Sequence, residues 1–221
     1  MTNQEILSRI DHTLLKAAAG WPEIQKLCEE ALRYKTASVC VPPSYVKRIK
    51  EGFPGLNICT VAGFPLGYAT CEVKAVEAAQ AVADGAAEID MVINLGDVKN
   101  GDFAKVGAEI AALRKTVGVK ILKVIIETCY LTGDEKISLC RAVTEGGADY
   151  IKTSTGFGSA GATIEDIRLF KQYIGPNVKI KAAGGVKTRE DLERFLQEGC
   201  SRIGTSSAVA LLTGGGSSAN Y

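Results

Sequence analysis

The sequence of 221 residues lacks several features that mark common classes of protein. It has a single histidine, His12, and its seven cysteines are scattered without a CxxC pair. The usual zinc ligand sets are therefore missing, and a serine, histidine and aspartate triad would depend on that one imidazole. We expect no metal site, and we interpret His12 as a packing or hydrogen-bonding residue.

An excess of one charge and long apolar runs are also missing. The chain has 26 basic and 25 acidic residues and a net charge of +1, so binding to nucleic acid or to a membrane surface is not expected. No run of about 18 apolar residues occurs, which argues against a membrane span. The first residues have no apolar signal core, and scattered cysteines are typical of reduced thiols. We expect a cytoplasmic protein with a small-molecule substrate.

What the sequence does contain is a regular alternation of short apolar segments with helical ones. The predicted strands are Arg9–His12, Ser38–Val41, Ile58–Ala62, Glu88–Ile93, Ile121–Glu127, Tyr150–Lys152, Val178–Ala182 and Arg202–Gly204. The segments between them carry acidic residues near helix starts and glycine near helix ends.

Eight strands alternating with helices predict an α/β fold, a TIM barrel. We expect one barrel domain over residues 1–212 with a short N-terminal helix, and a flexible Gly/Ser-rich tail over residues 213–221. The alternative, a doubly wound open sheet, lacks its GxGxxG fingerprint after the first strand.

Charged residues recur inside these otherwise apolar strands. Strand residues alternate between the barrel interior and the side that faces the helices. This alternation predicts a lower layer of buried ion pairs made of Glu88, Lys123, Lys179 and Arg202. It predicts an upper group, near the C-terminal rim where such barrels carry their chemistry, made of Asp90, Glu127, Lys152 and Lys181.

Two lysines and a carboxylate in one apolar cavity are the components of Schiff-base chemistry. Lys152 and Lys181 lie on neighbouring predicted strands, where desolvation and a second ammonium favour a neutral amine on one of the two. Such an amine attacks a carbonyl and forms an iminium that accepts electrons, while Asp90 would relay protons. The pattern does not choose between the lysines, and a purely structural ion-pair network of the three residues fits it equally well.

The loops after strands 6, 7 and 8 are rich in glycine and hydroxyl groups. They contain Thr153–Gly158, Ala183–Val186 and Thr205–Ala208. Loops at this rim of a barrel often bind phosphate, so we expect an anion site that includes Thr155. Ordinary tight turns have a similar composition and are the alternative.

Three further residues are weaker candidates. Asp11, placed near the end of strand 1, would orient a water or a substrate hydroxyl, or would cap a helix or loop. Cys40 shares the inward phase and would line the pocket, although an inert buried thiol fits as well. Tyr221, on its Gly/Ser tether, would fold over the pocket as a proton shuttle, or belong to a disordered tail.

Several segments resemble the deoxyribose-phosphate aldolase family of class I aldolases. They are IDHTLLK (10–16), SVCVPP (38–43), TVAGFPLG (60–67), EIDMVINLG (88–96), KVIIET (123–128), YIKTSTGF (150–157), KAAGGV (181–186) and IGTSSA (203–208). The resemblance implies a TIM barrel without metal or cofactor. It also implies reversible cleavage of 2-deoxy-D-ribose 5-phosphate to acetaldehyde and D-glyceraldehyde 3-phosphate, in deoxynucleoside catabolism.

The resemblance further implies roles for particular residues. Lys152 would be the Schiff-base nucleophile, Lys181 would perturb it and assist proton transfer, and Asp90 would act in the proton relay. Phosphate contacts would fall on Gly156, Gly184, Gly185, Ser206 and Ser207. Some members carry a lysine where this chain has Phe157, so the phosphate contacts here would rest on backbone and hydroxyl groups. A homodimer or homotetramer is also expected.

Two alternatives to this function remain open. One is another lysine-dependent phosphosugar aldolase or transaldolase with a longer donor, which turnover of dihydroxyacetone phosphate or a ketose phosphate would reveal. The other is a non-catalytic barrel that binds sugar phosphates as a sensor. Such a barrel would bind the sugar without forming an adduct that borohydride traps.

Overall fold

Eight parallel strands close into a barrel in the computed structural model, which describes residues 1–214. The strands are β1 Ile10–Thr13, β2 Ser38–Val41, β3 Ile58–Ala62, β4 Glu88–Val92, β5 Ile121–Ile125, β6 Tyr150–Lys152, β7 Lys179–Ala183 and β8 Arg202–Thr205. They pair in sequence order, and β1 closes the barrel against β8. The predicted TIM barrel is confirmed.

Helices precede the first strand and follow every strand. They are α1 Asn3–Leu7, α2 Trp21–Tyr34, α3 Val46–Gly52, α4 Cys71–Ala83, α5 Leu95–Lys99, α6 Phe103–Val117, α7 Gly133–Glu145, α8 Ile164–Tyr173, α9 Arg189–Glu198 and α10 Ala208–Thr213. Within residues 1–214, no helix combines the length and the hydropathy that crossing a bilayer requires. Helix α10 runs one residue into the predicted tail, and Tyr221 lies outside the described residues.

Capping groups explain where several helices begin. Thr132 accepts a hydrogen bond from the backbone N–H of Glu135, and the Glu135 carboxylate accepts one from the backbone N–H of Thr132. Thr188 and Asp191 form the same reciprocal pair at the start of α9. Each pair satisfies two backbone N–H groups that would otherwise lack a partner at the start of the helix. The capping residues therefore determine where these two helices begin.

The predicted strand boundaries are within two residues of the observed ones, and the largest difference matters for the site. Strand β5 ends at Ile125 because Glu127 takes a left-handed backbone conformation with φ of 53°, which is uncommon for a residue other than glycine. The prediction that Glu127 belongs to this strand is therefore wrong, although its side chain is buried. Its carboxylate instead bonds Thr155 in the loop after β6.

The alternation of side chains within the strands follows the prediction. Ile89 and Met91 of β4 belong to the apolar core between the barrel and the helices. Asp90, between them in sequence, contacts lysines from β5, β6 and β7 inside the barrel. The core is thus a shell around the barrel, and the interior is charged.

Lys179 is the exception among the predicted inward charges. It is exposed as the first residue of β7, and its Nζ lies 5.7 Å from the centre of the Tyr150 ring. Its predicted place in a buried ion-pair layer is wrong. A lysine at the entry of a strand reaches the lower opening of the barrel, where water solvates its ammonium.

Lys123 and Lys179 form a matched pair for a test of the charged interior. The Nζ of Lys123 lies 2.6 Å from Glu88 and 2.8 Å from Asp90. Lys123→Met removes the buried ammonium that bonds both carboxylates, so we expect the free energy of unfolding to fall by about 3–5 kcal/mol. Lys179→Met is expected to change it by less than about 0.5 kcal/mol. Urea unfolding measures both, and equal losses would contradict this account.

Candidate active site

Seven charged groups form one cluster inside the barrel. Its members are the carboxylates of Asp11, Glu88 and Asp90 and the cations of Lys123, Lys152, Lys181 and Arg202. All except Arg202 are buried. The two predicted levels are joined, because Lys123 pairs with both Glu88 and Asp90.

Asp90 is the centre of this cluster. Its Oδ1 accepts a hydrogen bond from Lys123 at 2.8 Å, and its Oδ2 accepts bonds from Lys152 and Lys181 at 2.7 Å each. Burial alone would raise the pKa of Asp90, but the three ammonium groups outweigh it and hold that pKa well below its ordinary value. Asp90 is therefore a carboxylate.

Lys181 is fully buried and has two carboxylate partners. Its Nζ pairs with Asp11 as well as with Asp90. Burial by itself would lower the pKa of Lys181, but these two carboxylates raise it above its ordinary value. Lys181 is thus a fixed ammonium, which distinguishes it from Lys152 in a way that the sequence pattern does not.

Lys152 is the lysine that faces the mouth of the barrel. It lines a cavity of about 10 Å³ together with Thr155, Gly156 and Gly184, whereas Lys181 is not part of that lining. Among the ion pairs of residues 1–214, Lys152 has one carboxylate partner, Asp90. It is therefore the less constrained of the two lysines and the more accessible one.

Asp11 lies in the middle of β1, not at the end where the sequence placed it. Its Oδ1 accepts hydrogen bonds from Ser38 at 2.7 Å and from Arg202. Burial would raise the pKa of Asp11, but Lys181, Lys123 and Arg202 lower it. Asp11 does not line the cavity at Lys152; its carboxylate pairs with Lys181, Lys123 and Arg202.

Two cysteines face each other beside Asp90. Cys40 and Cys59 are direct partners across β2 and β3, and both are fully buried. The Cys59 thiol donates to Asp90 Oδ1 at 3.2 Å and accepts from Lys123 at 3.2 Å. Sequence analysis missed Cys59, although strand alternation gives it the same inward phase. Cys40 is not part of the cavity lining at Lys152, which departs from the predicted pocket position.

Among residues 1–214, two groups of side chains have the geometry of metal ligands, and both include Cys59: one with Cys40 and Asp90, the other with Asp11 and Glu88. Donor atoms of Cys40, Cys59 and Asp90 lie within 4.8 Å of one another. However, Lys123, Lys152 and Lys181 already bond the same carboxylate. Three ammonium groups around the carboxylate repel a further cation, so the arrangement favours amine chemistry.

The loops after β6 and β7 touch each other at the rim above Lys152. A Cβ on Gly161 would overlap the carbonyl of Gly184, so only glycine fits there. Gly156, Gly184 and Gly185 all have positive φ, and a Cβ on Gly184 would lie 3.5 Å from the Cα of Gly156. Sequence analysis missed Gly161. The glycine-rich composition of its loop was the signal that could have indicated this close contact.

Glu127 anchors the loop after β6. Its carboxylate accepts bonds from the backbone N–H of Thr155 at 3.2 Å and from the Thr155 hydroxyl, which itself accepts from the N–H of Phe157 at 3.0 Å. Burial raises the pKa of Glu127, and the bonds from Thr155 oppose that rise. The carboxylate thereby fixes the segment that carries Gly156.

Ser206 and Ser207 precede α10 but border a different cavity from Lys152. Ser207 Oγ donates to the carbonyl of Val186 at 3.3 Å, which links the loops after β7 and β8. Both serines line a cavity of about 590 Å³ between α2 and α10. Its charged walls carry both signs: Lys16, Lys26, Arg33, Glu23, Glu29 and Glu30. The structure thus gathers Gly156 and Gly184 at Lys152, whereas the two serines line the second cavity next to the loop after β7.

His12 is also part of the wall of this larger cavity. It bonds Glu30 of α2 at 2.8 Å through Nε2, which is the hydrogen-bonding role that the sequence predicts. It lies on the side of β1 that faces the helices, whereas the neighbouring Asp11 faces the lysines. His12 is therefore separate from the charged cluster.

Known proteins are similar to this chain over nearly its whole length. A deoxyribose-phosphate aldolase of Clostridium botulinum is 64% identical over 215 residues, which is 97% of each chain. One of Clostridioides difficile is 55% identical over 210 residues, covering 95% of this chain and 96% of the other. A tetrameric deoxyribose phosphate aldolase structure from Aeropyrum pernix has a TM-score of 0.90 at 31% identity, over 96% of this chain and 91% of that one.

A family model points in the same direction as the individual relatives. Residues 6–214 match the model described as DeoC/LacD family aldolase. The matched range contains all eight strands and all the residues of the charged cluster. This chain therefore belongs to the DeoC/LacD family of aldolases.

Proposed function

We propose that this protein is a class I aldolase that reversibly cleaves 2-deoxy-D-ribose 5-phosphate to acetaldehyde and D-glyceraldehyde 3-phosphate. The observation that carries the proposal is the position of Lys152, which lines the cavity while the fixed ammonium of Lys181 lies behind it and Asp90 bonds both. Relatives at 64% and 55% identity carry the name deoxyribose-phosphate aldolase, which supports this substrate.

The charge balance of the cluster favours an amine that reacts. Four cations are linked to three carboxylates by ion pairs among the described residues, so the cluster has one cation in excess. If one ammonium of the cluster loses a proton, the numbers of positive and negative charges become equal. Lys181 is held by two carboxylates and Lys152 by one, and Lys152 is the lysine that a carbonyl can reach. We therefore assign the nucleophilic amine to Lys152.

The first half of the reaction builds the iminium. The neutral Nζ of Lys152 attacks C1 of the open-chain sugar and forms a carbinolamine. The C1 hydroxyl leaves as water, with a proton relayed by Asp90 from Lys181, which lies 2.7 Å from the same Oδ2. The iminium carries the positive charge that a protonated Lys152 would carry. Asp90 therefore has a cationic neighbour at that position once the iminium has formed.

The second half breaks the carbon chain. Asp90, directly or through a water, takes the proton of the C3 hydroxyl as C3 becomes the carbonyl of glyceraldehyde 3-phosphate. The electron pair of the C2–C3 bond moves into the C1–C2 position and gives an enamine on Lys152. Protonation of C2 and addition of water to C1 then release acetaldehyde and restore the amine.

We further propose that the phosphate binds at the rim formed by the loops after β6, β7 and β8. Gly156, Gly184 and Gly185 have positive φ and no side chain, so their backbone can approach an anion closely. Ser206 and Ser207 add hydroxyl groups next to these loops. Glu127 supports the site indirectly, because Thr155, which it binds, precedes Gly156.

We also propose a homodimer or homotetramer that works in the cytosol. Leu66, Tyr68, Val73 and Val76 are exposed apolar side chains within a short stretch around the start of α4, and a second copy would cover them. All seven cysteines are free thiols, which suits a reducing compartment. Light scattering tests the assembly, and a mass of one chain at micromolar concentration would contradict it.

The roles of the two lysines predict different losses of activity. Lys152→Met removes the nucleophile, so we expect kcat for cleavage to fall by roughly four orders of magnitude or more. Lys181→Met removes the relayed proton, so we expect a loss of about 10²- to 10⁴-fold. Release of glyceraldehyde 3-phosphate in the presence of EDTA measures both.

Lys179→Met serves as the control and is expected to retain full activity. Appreciable activity of Lys152→Met would overturn the assignment of the nucleophile. Efficient cleavage of a ketose phosphate, with little cleavage of 2-deoxyribose 5-phosphate, would favour the longer-donor aldolase instead.

The anchoring of the phosphate loop by Glu127 predicts a change in KM. Glu127→Gln replaces a charged hydrogen-bond acceptor of Thr155 with a neutral amide of the same shape. A bond of this kind contributes about 1.5–3 kcal/mol. We expect KM for 2-deoxyribose 5-phosphate to rise about tenfold or more, with little change in the kinetics of unphosphorylated 2-deoxyribose. Glu145→Gln, at an exposed position of α7, is the control. An equal effect on both sugars would contradict the role in phosphate binding.

A further inference from the structure

Two charged residues of the cluster lie at the end of the barrel interior that is opposite the rim. Glu88 is the first residue of β4 and Arg202 is the first residue of β8, so both belong to the lower end. Arg202 Nη1 donates to Glu88 Oε2 at 3.1 Å and also to Asp11. Neither Glu88 nor Arg202 lines the cavity at Lys152, so any effect of the two on the reaction is indirect.

A continuous series of ion pairs joins Glu88 to Lys152. The Nζ of Lys123 lies 2.6 Å from Glu88 and 2.8 Å from Asp90. Asp90 Oδ2 lies 2.7 Å from the Nζ of Lys152. Glu88, Lys123 and Asp90 are at most 1% exposed, so water and salt screen these contacts little. A change of charge at Glu88 therefore changes the electrostatic potential at Lys152.

A second series of ion pairs joins Arg202 to the same place. Arg202 pairs with Asp11, and Asp11 pairs with Lys181. Lys181 in turn shares Oδ2 of Asp90 with Lys152. Only 12% of the Arg202 side chain is exposed, so its charge is also poorly screened. The lower end of the barrel is thus connected to the reacting amine by two routes.

Arg202 differs from the three lysines because a guanidinium does not lose its proton in proteins. Burial by itself would lower the pKa of Arg202, but Asp11 and Glu88 raise it above its ordinary value. The cluster has one cation more than it has carboxylates, so this excess can be removed only at a lysine. Lys152 has the fewest carboxylate partners of the three lysines and is the one that releases the proton.

Other ionisable groups near the cluster are not paired with it. Glu127 is near enough to Lys152 to interact with its charge, but no ion pair within residues 1–214 joins the two. The Glu127 carboxylate bonds Thr155 instead. Burial raises the pKa of the Cys59 thiol well above its ordinary value, and Lys179 is exposed. The paired set therefore keeps its one cation in excess.

We propose that Glu88 and Arg202 are positioning residues that set the proton balance of Lys152 from the opposite end of the barrel. This inference rests on the proposed aldolase function. Arg202 supplies the permanent positive charge that favours the neutral amine, and Glu88 limits that effect. Removal of either charge should therefore shift the pH dependence of Lys152, and the two shifts should have opposite signs. A general loss of packing does not produce opposite shifts.

The test follows the protonation of Lys152 in the whole chain by two independent measurements. The first is kcat/KM for 2-deoxyribose 5-phosphate between about pH 5 and 9, whose acidic limb reports the group that must lose a proton in the free enzyme. The second is the rate at which trace acetic anhydride acetylates Lys152, quantified by mass spectrometry. Only the neutral amine is acetylated, so the second measurement does not depend on catalysis.

We expect Arg202→Gln to move the midpoint of both profiles up by about one pH unit. This is the size expected for unit charges roughly 10 Å apart at an effective dielectric constant of about 20. Glu88→Gln is expected to move the midpoint down by a similar amount. Arg202→Lys keeps the charge while changing the shape, and Lys179→Met removes an exposed charge, so each should leave the midpoint within about 0.3 unit.

Each contrary result has one meaning. A shift of Arg202→Gln or Glu88→Gln in the wrong direction, or no shift in a folded variant, would overturn the proposal and leave the aldolase function intact. Failure of the unaltered protein to cleave the sugar would overturn the proposed function, and the acetylation profiles would still decide the role of the two residues. Circular dichroism checks the folding of each variant. If Arg202→Gln does not fold, the downward shift of Glu88→Gln relative to Lys179→Met decides the test.

Discussion

The carboxylate of Asp90 is the group on which the whole barrel interior depends. Lys123, Lys152 and Lys181 all bond it within 2.8 Å. Buried ammonium groups this close together repel one another strongly unless an anion lies between them. By supplying that anion, Asp90 allows Lys152 and Lys181, the proposed nucleophile and the proposed proton donor, to lie side by side inside the barrel.

The unequal roles of the two lysines follow from the second carboxylate, that of Asp11. It pairs with Lys181 and holds that lysine as an ammonium. Among the carboxylates of residues 1–214, Lys152 forms an ion pair with Asp90 alone, and it lines the cavity. One lysine is therefore held as an ammonium, and we propose it as the proton donor, while we propose the other as the amine that bonds the substrate.

The sequence predicts most of this interior because one simple geometric rule governs it. Side chains alternate along a strand whatever their chemistry, so the inward positions of Asp90, Lys152 and Lys181 follow from their spacing. The rule fails at the ends of strands. Glu127 lies beyond β5 in a left-handed conformation, and Lys179 reaches solvent at the lower opening. Contacts between distant loops, such as Phe64 with Phe157, leave no local pattern in the sequence.

The most direct test of this account is to find which lysine bonds the sugar. The unaltered protein is mixed with 2-deoxyribose 5-phosphate, reduced with borohydride and digested, and the modified peptide is sequenced by mass spectrometry. We expect the adduct on Lys152 alone, because Asp11 and Asp90 keep the other amine protonated. An adduct on Lys181 would contradict the assignment of roles, and the absence of any adduct would contradict the Schiff-base mechanism.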